Sequence, residues 1–122
     1  MAVSSQIFKE RLNLDLQVIL KELHLPLLVY ERILRIAVIG TEQSWPELQE
    51  ALVREDMVTV QKIAHEWQGT YGNLRVVPMA SLASEMHDLA SKGGAGKNLA
   101  EILECLNKCF ADLKESFQEN SA

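Results

Sequence analysis

The sequence predicts an all-α protein, an up-and-down four-helix bundle with one or two extra helices at its N-terminal end. Three observations carry this. Leu, Glu and Ala are the commonest residues of a chain of 122 with only six Gly and three Pro. Apolar residues recur three and four positions apart over most of its length, and the alternation of a half-buried strand is absent. The breaks between periodic segments are short, which favours antiparallel neighbours.

Residues 4–23 carry Ile7, Phe8, Leu12, Leu16, Ile19, Leu20 and Leu23 at helical spacing, with a break near Asn13. Proline is tolerated in a first helical turn, so Pro26 opens a new helix. That helix is expected to run to Ile39 and stop at Gly40. Leu27, Tyr30, Ile33, Leu34 and Ala37 line one side, and Val29, Ile36 and Val38 make it apolar almost all round. Such a helix should sit centrally or lie under the N-terminal segment. Thr41 or Ser44 then caps a further helix, with Pro46 in its first turn, Glu47 three residues after Ser44, and an end near Arg54.

Asp56 caps the next helix, over about 57–75. At about 100° per residue, Val60, Ile63, Ala64, Trp67, Tyr71 and Leu74 share one stripe. Val76-Val77-Pro78 breaks the chain, because the residue before proline avoids helical angles. A helix over about 78–91 aligns Met79, Leu82, Ala83, Met86 and Leu89. Ser91 to Gly96 is a glycine-rich loop. The last helix, about 97–118, aligns Leu99, Ile102, Leu103, Leu106, Phe110, Leu113 and Phe117, and the tail from Asn120 frays. The expected division is an N-terminal helical extension over 1–24 and a bundle over 25–122.

Composition narrows the function. A chain this long with 48% hydrophobic residues can bury one core. A net charge of −5 argues against nucleic-acid binding, which wants a basic face. No run reaches the ~18 apolar residues of a membrane span, and no basic-then-apolar leader opens the chain. A cytoplasmic protein is the expectation. Cys105 and Cys109 stand four apart at the edge of an apolar stripe, poorly placed for a disulfide and read as small hydrophobes. A zinc site from these cysteines and a histidine lacks CxxC or HxxxH spacing, so no metal ligand is assigned. Trp45, Trp67, Met79 and Met86 read as core, His24 as a helix-end residue and His87 as an ordinary flank of an apolar stripe.

His65 is different. It lies opposite the buried stripe, among Gln68, Gly69 and Gly72, with Lys62 and Val58 one and two turns earlier. Each helical glycine costs about 1 kcal/mol relative to Ala. Two of them beside one solvent-facing imidazole remove side chains from a surface and open it to a partner.

The pattern His65-x-Trp67-Gln68-Gly69-Thr70-x-x-Asn73-Leu74 resembles the phosphohistidine motif of histidine-containing phosphotransfer (HPt) domains. Flanking stretches extend the resemblance over about 25–117: Leu25-Pro26 with Tyr30 to Leu34, Glu47 to Leu52, Asp56 and Val60, then the last two helices. The departures are Gln68 where the family often has Lys, and Trp67 where it has Leu. Gln keeps a hydrogen-bond donor and brings no charge; Lys62 one turn earlier carries one.

The resemblance implies a carrier of phosphoryl groups in two-component signalling rather than a turnover enzyme. It implies His65 as phosphoacceptor and Gln68 as donor to the phosphoryl oxygens. Val58, Lys62, Gly69, Gly72 and Arg75 would form or border the docking surface. The implied partner is the receiver domain of a response regulator, a hybrid sensor histidine kinase, or both. The receiver would bring Mg²⁺, and this chain needs no cofactor of its own. No ATP-binding glycine loop or kinase signature is present. The alternative is a non-transferring HPt-like helical module that docks a receiver or kinase. The extension over 1–24 is expected to pack on the bundle end or on the apolar helix, or to pair with a second chain.

Overall fold

The longest helix runs through its expected stop at Gly40 and ends, as expected, at Arg54. In the computed structural model, which describes residues 3–93 and 96–118, the elements are α1 (Ser5–Glu10), α2 (Leu16–Leu23), α3 (Leu27–Val53), α4 (Met57–Asn73), α5 (Val77–Ser91) and α6 (Gly96–Gln118). The fold is all-α, and α3–α6 form the four-helix bundle.

The helix expected to stop at Gly40 and the one expected to start near Ser44 are therefore a single helix, with Pro46 inside it. Local cost lost to packing. Gly and Pro together oppose this helix by about 4 kcal/mol on the propensity scale. Against that, Tyr30, Leu34, Val38, Thr41, Leu48 and Ala51 hold one buried stripe through the whole length. Thr41 is not a cap: its hydroxyl donates back to the Ala37 carbonyl at 2.9 Å, within the helix.

The expectation that the first half of α3 is central or covered is also corrected. Leu28 and Ile36 are each 70% exposed, and Leu27, Val29, Ile33 and Ile39 also reach solvent. Only one side of α3 meets the bundle.

The other boundaries follow local chemistry. The Ser4 hydroxyl accepts from the Ile7 amide and the Asp15 carboxylate accepts from Gln17 and Val18. Between α1 and α2 the chain turns with Asn13 in the left-handed region, φ 55°. His24 ends α2 in the same conformation. Asp56 caps α4 by accepting from the Thr59 amide and hydroxyl, which hold its carboxyl below the ordinary range. Pro78 sits in the first turn of α5. Of the glycine-rich loop, Gly93 lies in a turn with φ 90°, while positions 94 and 95, like the tail from Glu119, fall outside the described residues.

The N-terminal helices close one side of the bundle. Phe8, Leu12, Leu16 and Ile19 join the same core cluster as Leu34, Trp67, Met79 and Leu113. The Ser4 amide donates to the Ser116 carbonyl at 2.9 Å, and Arg11 pairs with Asp112 and Glu115 of α6. The carboxylate of buried Glu31 accepts from the Val3 amide. Among the described residues, no helix is long and apolar enough to cross a membrane.

Candidate functional site

Helix α4 is fastened on its inner side and bare on its outer side. Val60, Ile63, Ala64, Trp67 and Tyr71 are buried. Trp67 stacks on Trp45 of α3 at 5.4 Å between centroids, and Trp45 stacks in turn on Phe110 of α6 at 5.6 Å. Met79 and Met86 are fully buried beneath. Trp67, Met79 and Met86 are core as expected, and half-buried Trp45 packs against them.

His65, Lys62 and Gly69 are exposed, Gln68 and Gly72 half-buried, and Val58 is 78% exposed. Along the axis, Lys62 and Gly69 stand about one turn from His65, and Val58 and Gly72 about 10 Å away. Arg75 lies beyond the end of α4, with φ 63°. Its guanidinium donates to the Gly72 carbonyl at 3.1 Å and lies 3.9 Å from Glu22 of α2. It closes the helix end rather than approaching the imidazole.

A Cβ built on Gly69 or Gly72 meets nothing within 4 Å, and neither residue has positive φ. Nothing inside the chain therefore requires glycine at either place. Gly40, on the neighbouring face of α3, is equally open. Between α3 and α4 a groove of about 450 Å³ is lined by Ile33, Ile36, Gly40 and Ser44 on one side and Glu66, Thr70 and Asn73 on the other. On a helical projection it borders the His65 face.

His87, read from the sequence as an ordinary flank of an apolar stripe, lies beside His65. The ring of His87, on α5, lies 5.8 Å from that of His65, tilted by 47°. Its side chain is 35% exposed, with Nδ1 3.9 Å from the Asp88 carboxylate. The signal was present: His65 and His87 stand eleven residues before and eleven after Val76, at the turn between two antiparallel helices. Reflection through that turn brings them together. His24 caps α2.

An exposed neutral imidazole offers one lone pair to an electrophile. A phosphoryl group arriving at His65 would find an amide donor at Gln68, an ammonium at Lys62 and a second imidazole at His87. The imidazole of His65 stands exposed at the surface.

The family comparison decides the class. The Hpt domain family matches residues 32–116, from the first turns of α3 to near the end of α6. The chain belongs to the Hpt domain family. No curated protein and no solved structure matches it significantly. Hpt domains take part in phosphotransfer in two-component signalling and interact with receiver domains. Val58, Lys62, His65, Gln68, Gly69, Gly72, Arg75 and His87 all lie within the matched span.

Proposed function

We propose that this Hpt protein accepts a phosphoryl group on His65 from the aspartyl phosphate of a receiver domain and passes it to another. The observation that carries this is the pair of helical glycines beside an exposed histidine, where the chain's own packing asks for neither. Their cost in helix stability is repaid only by something approaching from outside.

In the forward step a lone pair of neutral His65 attacks phosphorus. The N–P bond forms, the P–O bond to the aspartate breaks, and the carboxylate leaves. Gln68 donates to a phosphoryl oxygen, and Lys62 offsets charge. The partner receiver is expected to hold Mg²⁺; this chain has no cofactor of its own in the scheme. Phosphoryl transfer depends chiefly on alignment and charge neutralisation, so a bare surface with few donors is adequate. Gly69 and Gly72 let the receiver approach, with Val58 at the rim. The cytoplasm, where receivers and hybrid sensor kinases present their phosphorylated residues, is the proposed location.

Gln68 in place of lysine supports the second reading, a docking module that binds a receiver without transfer. Incubation with a phosphorylated receiver separates the two. Transfer predicts an acid-labile, alkali-stable label on this chain that is absent from His65→Gln. Docking alone predicts binding that survives His65→Gln, with no label on either protein.

A further inference from the structure

The rings of exposed His65 on α4 and half-buried His87 on the neighbouring α5 have centroids 5.8 Å apart. This is close to the spacing of two imidazoles on one metal ion. With a zinc–nitrogen bond of about 2.1 Å, each centroid lies about 3.2 Å from the ion, and a tetrahedral angle then separates the centroids by about 5.2 Å. The remaining few tenths of an ångström are within a small side-chain rotation. His65 is exposed and the His87 side chain 35% exposed, so water can reach the other positions.

We propose that His65 and His87 together bind one borderline divalent transition-metal ion, and that this ion and a phosphoryl group exclude each other at His65. The donor set selects the class of ion. Imidazole nitrogens suit Zn²⁺, Ni²⁺ and Cu²⁺, whereas Mg²⁺ and Ca²⁺ prefer oxygen. Among the described residues no three His, Cys, Asp or Glu side chains converge. The site therefore has two protein ligands and modest affinity, suited to an ion that comes and goes. Cys109 competes poorly: burial pushes its thiol up to about 11, away from the thiolate that binds metal.

Exclusion follows from electron counting. A neutral imidazole has one N–H and one lone pair. A metal bound to His65 takes that lone pair, and the ring keeps no nucleophile for phosphorus. This half of the proposal rests on His65 being the phosphoacceptor; the binding half does not.

The test titrates the full chain with Zn²⁺ in a calorimeter. One saturable ion per chain is expected. His87→Ala and His65→Gln should each weaken it at least tenfold, while His24→Gln and Cys105→Ser leave it unchanged. In proton NMR the ring signals of residues 65 and 87 should shift together, with His24 still. No saturable binding up to millimolar Zn²⁺, or loss of binding in Cys105→Ser, overturns the site. For exclusion, phosphoramidate replaces the receiver as phosphoryl donor. At a free Zn²⁺ that slows labelling of wild type about tenfold, His87→Ala should slow by no more than about twofold. Equal slowing in both overturns the exclusion. Absence of any label without metal refutes the phosphoacceptor reading and leaves the calorimetric result standing.

Discussion

The hydroxyls of Tyr71 and Thr41 lie 2.6 Å apart in the core, and both reach the Ala37 carbonyl, at 3.3 and 2.9 Å. This contact fixes the inner side of α4 to the middle of α3, directly behind the exposed histidine face. Tyr71→Phe removes one buried hydrogen bond of a shared set. It should cost about 1 kcal/mol in a denaturant titration and leave the chemistry at His65 intact.

The same tyrosine makes stability fall in alkali. Burial raises the Tyr71 hydroxyl from its ordinary value to about 12. A raised value in the fold means the contribution is complete below the unfolded pKa near 10 and is lost as pH rises through the folded value. The loss between about pH 10 and pH 12 is on the order of 2–3 kcal/mol. Burial raises Tyr30 in the same direction. Tyr71→Phe should therefore unfold less steeply with pH above 10 than wild type; equal slopes would refute the assignment.

Gly69→Ala with Gly72→Ala separates fold from function. The added methyl groups meet no neighbour, so helix propensity should raise stability by about 1–2 kcal/mol for the pair. Transfer from a phosphorylated receiver should slow. A double variant that is more stable and equally fast would remove the reason given for the glycines.

Pro46 is exposed within α3 and denies the helix one backbone hydrogen bond. Pro46→Ala restores it, with an expected gain of about 1–3 kcal/mol in chemical denaturation.

Gln68→Lys returns a charge to the site. Phosphohistidine at residue 65 should survive several times longer in that variant and shorter in Gln68→Ala, followed as loss of acid-labile phosphate. Indifference to both changes would take Gln68 out of the site.

Where local chemistry decides, the sequence was readable. Asp56 capping α4, the turn at Val76 and the break at Asn13 all rest on side chains acting on their own backbone. Gly40 and Pro46 misled because each is a local cost, and the stripe from Tyr30 to Ala51 is a tertiary gain spread along most of a 27-residue helix. Ile33, Ile36 and Ile39 misled for a related reason: apolar character does not say which faces of a helix find a partner. His65 was legible from the glycines beside it. His87 has no unusual neighbours in sequence, and only its mirror position across the α4–α5 turn reveals it.

The most direct measurement locates the phosphate after this chain meets a phosphorylated receiver, by mass spectrometry of alkaline-handled peptides. The account predicts phosphate on His65 and none on His24 or His87. Phosphate confined to another residue, or a receiver that keeps its phosphoryl group while bound, would contradict it.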